Sequence, residues 1–242
     1  MQVSLGQQSA LFPSATRCCR RHSNNRLVPE ILCCLKSHCE GMKTTVPFAL
    51  CLLSVVLLPL GECWEAPLFC HEYKCPEFTV VNTYESFEER LYTSSRWITT
   101  DIASTGNSDL AAGFLKLYQY TQGENTEKRV IPTTRPGLVS VNETSDNGQR
   151  QVSVSLYVAP DTVLPHPNDD TIKEITRPSG TIYVRVFSGL ASESGATENK
   201  SKLKEDLQTA GKLFDENRFD GAGYEPVWML LNRHNEVWIH AA

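Results

Sequence analysis

Beyond residue 63 the 242-residue chain has almost no cysteine: seven of its nine cysteines lie in residues 1–63, and only Cys70 and Cys75 follow. The folded part is therefore neither a disulfide scaffold nor a cysteine-built metal domain. It also lacks a G-x-S-x-G elbow, an H-E-x-x-H pair and a phosphate-cradling glycine loop, so no catalytic site is encoded locally and no enzyme is expected. Asp169 and Asp170 are adjacent, which does not supply the defined separation that a catalytic carboxylate pair needs across a cleft. A basic excess is missing as well. The formal net charge is −5, with six bases against three acids in residues 1–63 and 17 against 25 in the rest. A domain that acidic gains nothing from counterion release and is repelled by anionic lipid, so no nucleic acid is expected as a partner. Apolar residues at 40% and charged residues at 21% are ordinary for a globular protein.

The long apolar run is Val46 to Leu60, interrupted by Pro47 and Pro59. It falls short of the roughly 20 residues of a membrane span. Lys43 precedes it, and Gly61 and Cys63 supply small residues at positions −3 and −1 of a cut after Cys63. That three-part layout predicts a secretory signal peptide over residues 42–63 and a secreted, extracellular product. Residues 1–41 have no hydrophobic periodicity and are expected to be an unstructured leader or upstream extension. The clusters Cys18-Cys19…His22 and Cys33-Cys34…His38-Cys39 do not have zinc-site spacing. For an exported chain, Cys70 and Cys75, with four residues between them, predict a local disulfide. Asn142-Glu-Thr and Asn199-Lys-Ser are glycosylation sequons in polar stretches expected to be exposed.

Residues 64–242 are expected to form one domain. Glu88–Tyr92 and Trp97–Ile102 are predicted strands, and Leu110, Phe114, Leu117, Tyr118 and Thr121 mark a helix capped by Asn107 or Ser108. Gly123 stands where a helix C-terminus wants a left-handed residue. Val139–Val141 is a short strand, and Val152, Val154, Leu156 and Val158 alternate as a half-buried one. A proline-rich loop over Ala159–Asp170 divides the domain, after which strands are predicted at Thr171–Ile175 and Thr181–Phe187. A second helix is expected from about Glu198 to Glu216, with a stripe of Leu203, Leu207, Ala210 and Phe214. Val227–Leu231 and Glu236–His240 close as a hairpin. Two strands, a helix and two strands occur twice in this order. The fold class is α+β, with pseudo-duplicated halves forming a distorted antiparallel β-barrel and two flanking helices.

Three blocks carry a resemblance. The run Ala222-Gly-Tyr-Glu-Pro-Val-Trp-Met-Leu-Leu-Asn-Arg-His-Asn-Glu-Val-Trp238 resembles the ending of SOUL/heme-binding proteins. Phe87-Glu-Glu-Arg-Leu-Tyr92 with Arg96-Trp97 resembles the family's first strand pair, and Gly113 to Asn125 its first helix and following turn. The likeness runs over about residues 76–240. It implies a shallow apolar groove that holds heme or another tetrapyrrole, a small amphiphilic ligand. The implied lining is Phe114, Tyr118, Tyr224, Trp228 and Met229, with Trp97 peripheral. Leu91 replaces a histidine that one branch of the family places in the first strand. Ala111, Gln119 and Met229 replace basic side chains of another branch, and Pro132-Thr-Thr-Arg-Pro136 lacks a methionine found in the equivalent segment. Binding without a histidine on iron is therefore expected. His166 and His234 are expected to be exposed loop residues. The alternatives are an enzyme acting on a small amphiphile, or an interaction module using the second helix, whose Leu207–Glu216 end resembles a death-motif-like helix of some relatives.

Overall fold

The computed structural model describes residues 64–144, 148–189, 192–225 and 233–242. The leader, the signal-peptide segment and their cysteine clusters lie outside the described residues, as do Trp228, Met229 and the strand expected at Val227–Leu231. Among the described residues nine strands and two α-helices follow one another: β1 Phe78–Thr83, β2 Glu88–Tyr92, β3 Ser95–Ile102, α1 Asn107–Thr121, β4 Gly137–Asn142, β5 Gln151–Val158, β6 Lys173–Arg177, β7 Gly180–Phe187, α2 Glu193–Thr209, β8 Phe214–Gly223 and β9 Asn235–Ala241.

All strand pairs are antiparallel, in the order β1-β2-β7-β9-β8-β4-β5-β3-β6. From β2 onward this order is a palindrome under exchange of the first half (β2, β3, β4, β5) with the second (β6, β7, β8, β9). Its centre is the β4–β8 pair, where Gly137 to Asn142 face Gly223 to Arg218. The helices obey the same exchange: α1 packs on β3 and β5, and α2 on β7, β8 and β9. The duplication expected from element order is thus present in the topology. The end strands β1 and β6 do not pair, so the sheet is open and its hydrogen bonds do not close a barrel.

The sheet is nonetheless strongly curled, because one apolar cluster receives side chains from every strand. Phe78, Tyr92, Ile182, Val184, Trp238, Ala222, Leu138, Tyr157, Trp97 and Ile175 share it with Cys70 and Cys75. The convex face carries two further clusters, one under α2 with Leu203 and Leu207 and one under α1 with Leu117 and Tyr120. Curling explains why β5 is not the half-buried strand that its alternation predicts. Val152, Val154 and Val158 are buried on the helix side, while Ser155 and Tyr157 are buried on the concave side.

Both helix boundaries differ from the sequence pattern. α1 is capped by Gly106 rather than Asn107 or Ser108. α2 starts at Glu193 because Ser192 accepts a hydrogen bond from the Gly195 amide at 3.1 Å, a side-chain cap. It ends at Thr209, and Gly211 follows with φ +66°, a conformation that stops a helix. Phe214 consequently opens β8 instead of extending the helical stripe, and β9 pairs with β7 and β8. The continuous helix over Leu207–Glu216 required by the interaction reading is absent. Gly123 takes φ +108° after α1, as expected.

Candidate ligand cleft and the buried polar network

α1 approaches β3 and β5 closely because Gly113 has no side chain: a Cβ there would stand 2.7 Å from both Ile102 Cγ2 and Val154 Cγ2. This contact leaves the C-terminal half of α1 beside the segment 131–134. Between them lies a small cleft whose apolar lining is Ile98, Ile131, Pro132, Leu156, Val158 and Leu164, with Tyr118, Thr121, Thr133, Thr134 and Tyr157 adding polar atoms. Its volume is about 40 Å³. That accommodates a water or two, far below the roughly 300–1,000 Å³ of an enclosing ligand pocket.

Exposed apolar side chains neighbour the lining residues along the chain. Tyr118 is 56% exposed, and Leu115, one helical turn before it, 55%. Val130 and Val163, which adjoin the lining residues Ile131 and Leu164 in sequence, are 63% and 71% exposed. Arg129 ties the two loops together by donating to the Val163 carbonyl at 2.8 Å. The Thr134 hydroxyl donates to the Tyr157 carbonyl at 2.6 Å and fixes the cleft wall to β5.

Of the residues expected to line a groove, Tyr118 is at the cleft. Phe114 is half-buried in the adjoining cluster, above Gly137, where a Cβ would stand 3.1 Å from its ring. Tyr224 and Trp97 are elsewhere: both are buried in the concave cluster, 2% and 1% exposed. Leu91 is 47% exposed, and Ala111 and Gln119 are exposed on α1. No histidine lines the cleft among the described residues. His166 is exposed, as expected.

His234 is not an exposed loop residue. Its ring stacks on Phe69 at 4.0 Å and its Nε2 is 2.7 Å from Glu236 Oε1. Glu236, fully buried, also accepts from Arg90 Nη1 at 2.9 Å, the Tyr224 hydroxyl at 3.0 Å and Trp238 Nε1 at 2.7 Å. Burial disfavours its charge, but the His234 hydrogen bond and the Arg90 guanidinium prevail and hold the carboxyl below its usual range. Burial, then the Glu236 charge, pushes the Tyr224 phenol well up. A second network, nearer β6, joins Arg177 to Asp220 and Ser140, with His240 2.8 Å from Asp220. Asp220 is also held well below the carboxylate range, since Arg177 and His240 outweigh its burial. Sequence periodicity could not reveal these networks, because their members come from five strands and the turn before β9. Every carboxylate in them is taken by a cation, which suits folding and leaves no free acid or base. Among the described residues no cluster of metal-ligating side chains occurs.

Both sequon asparagines are half-buried rather than exposed. Asn142 Oδ1 accepts from the Thr144 amide at 3.2 Å at the end of β4. Asn199 sits in α2, half-buried, donating to the Gly195 carbonyl and accepting from Arg185 Nε. The Cys70–Cys75 disulfide is formed, with Cα atoms 6.2 Å apart.

The SOUL heme-binding protein family profile matches residues 73–240. The chain belongs to this family. It is 33% identical to human Heme-binding protein 2 over 158 residues, covering 64% of this chain and 77% of that protein. Mouse Heme-binding protein 2 is 34% identical over 160 residues with the same coverage. Among solved structures, the C-terminal domain of EcmrR superposes with a TM-score of 0.49 at 10% identity, covering 64% of this chain and 96% of that one. The SOUL match runs from before β1 to the penultimate residue of β9, so the cleft and both networks lie within the family domain.

Proposed function

We propose that this SOUL-family chain is a secreted binding protein for heme, another tetrapyrrole or a comparably flat amphiphile, held across the α1 cleft without a histidine on iron. The observation that carries this reading is an apolar cleft lined by exposed Tyr118, with exposed Leu115, Val130 and Val163 close to its lining residues in sequence, in a chain whose relatives are named heme-binding proteins. Tyr118 offers a ring face for stacking. The exposed Lys128 and half-exposed Arg129, on the turn entering the cleft wall, offer charge for ligand carboxylates at the edge. The Lys43-to-Cys63 layout supports the export part of this reading.

Burying about 250 Å² of ligand at about 25 cal/mol per Å² contributes about 6 kcal/mol before association costs, which sets the affinity at micromolar or weaker unless stacking adds to it. Titration of the purified protein with hemin, protoporphyrin IX and biliverdin tests the reading. Saturable quenching of tryptophan fluorescence by at least one of them, with a hemin Soret band unlike that of bis-histidine heme, is the expected result. No saturable binding to any of the three overturns it.

A further inference from the structure

The segment before β1 touches both halves of the pseudo-duplicated sheet. On one side Phe69 stacks on His234 and meets the Tyr224 ring edge-on at 4.8 Å. His71 lies 3.3 Å from Glu225, whose other oxygen accepts from the His234 amide at 2.7 Å. On the other side Lys74 forms a β-bridge with Thr134, the Arg135 amide donates to the Lys74 carbonyl at 2.9 Å, and the Arg135 guanidinium lies 4.4 Å over the Tyr73 ring. Phe69 and Lys74 are the immediate neighbours of Cys70 and Cys75, so the disulfide joins the two docking points directly. Thr134 is itself a wall of the cleft.

We propose that the Cys70–Cys75 disulfide is a redox-sensitive clamp that holds the Ile131–Thr134 wall of the cleft in its ligand-binding arrangement. The inference rests on the ligand reading above for its consequence, though not for its structural part. Both half-cystines are buried, 0% and 4% exposed, within the concave cluster. A reductant reaches them only after the segment lifts. A small dithiol then attacks one sulfur, and the other cysteine leaves as a thiolate. The second thiol of the reductant displaces the mixed disulfide, so two electrons and two protons pass to the cysteine pair and the reductant leaves as a cyclic disulfide. Once the five-residue closure is opened, Phe69 and Lys74 are no longer constrained to dock together. The bridge at Thr134 then loses its anchor on the second half of the sheet.

The test compares oxidised protein, dithiothreitol-reduced protein and the Cys70→Ser/Cys75→Ser variant by hydrogen exchange and by protoporphyrin IX titration. Faster exchange at Arg135 and across 131–134 on reduction, with protection elsewhere in the sheet retained, is expected. Affinity for protoporphyrin IX should weaken about fivefold or more, the scale of an ordinary coupling between sites, and return on reoxidation. Unchanged exchange at 131–135 after complete reduction overturns the clamp whether or not any ligand binds. Altered exchange with unchanged affinity overturns the link to the cleft, and no binding by the oxidised protein overturns the ligand reading alone. Where the serine pair does not fold, reversible reduction of wild type provides the same comparison.

Discussion

Arg177 on β6 donates two hydrogen bonds to Asp220 on β8, at 2.8 and 3.1 Å, across a gap of three intervening strands. In a flat sheet those strands would stand about 19 Å apart, at about 4.8 Å per step. The ion pair therefore measures the curl and locks it, joining the end strand β6 to β8 at the centre of the sheet. Asp220 is fully buried and Arg177 is 12% exposed, so removing one partner leaves a charge without compensation. Asp220→Asn should cost about 3–5 kcal/mol, read as a lowered midpoint in urea unfolding. The double variant Asp220→Leu/Arg177→Met should be less damaging than the single one. Equal or greater damage in the double would show that the pair is not the unit that matters.

Acid should unfold the protein through these same carboxyls. Asp220 and Glu236 lie below their ordinary range in the fold, whereas in the unfolded chain they titrate near about 4. The unfolded state then binds more protons than the native state in that window, so stability rises with pH through it. It is complete above about pH 5 and is lost as pH falls through about 4 toward the depressed native values. Urea midpoints measured from pH 7 to 3 should fall steeply for wild type and less steeply for Glu236→Gln, which starts lower at pH 7. Parallel curves for the two proteins would assign the acid sensitivity elsewhere.

Gly113 sets how closely α1 lies on the sheet, and its replacement by alanine meets Ile102 and Val154 at 2.7 Å. Gly113→Ala should destabilise by about 1–3 kcal/mol through overpacking, despite alanine's better helix propensity. Gly137→Ala meets the Phe114 ring at 3.1 Å, and that ring is only half-buried, so a smaller loss is expected. Thermal unfolding of the two variants should rank them in this order.

What could be read in the sequence was periodic and local. The alternation in β5 and β7, the stripes of α1 and the first half of α2, Gly123, the disulfide and the order of elements all rest on neighbours within a few residues. β1 was missed because Thr79 to Thr83 are exposed and do not alternate. β8 was missed because Phe214 continues the α2 stripe in phase, while the deciding residue, Gly211, is not apolar. Tyr224 and Trp97 were misplaced for a different reason: in a curled sheet both faces are buried, and an aromatic residue does not announce whether it belongs to the concave core or to a surface cleft. The polar networks were invisible because each joins residues more than 40 positions apart, such as Arg90 with Glu236 and Arg177 with Asp220.

Tyr118 and Tyr224 separate binding from folding. Tyr118 is exposed at the cleft and satisfies no buried group, so Tyr118→Ala should leave the unfolding midpoint within about 0.5 kcal/mol of wild type. It should weaken hemin and protoporphyrin IX binding by about three- to tenfold, the stacking contribution of one ring. Tyr224→Phe removes the donor to buried Glu236 Oε2 and should cost about 1–3 kcal/mol of stability while binding stays unchanged. His234→Ala breaks the stack on Phe69 and one of four donors to Glu236, so it too should lower stability without altering the hemin Soret band. Titrations and urea unfolding on the three variants form a closed set. A Soret shift in His234→Ala would restore histidine ligation. Loss of binding in Tyr224→Phe together with full binding in Tyr118→Ala would move the ligand from the α1 cleft to the concave face.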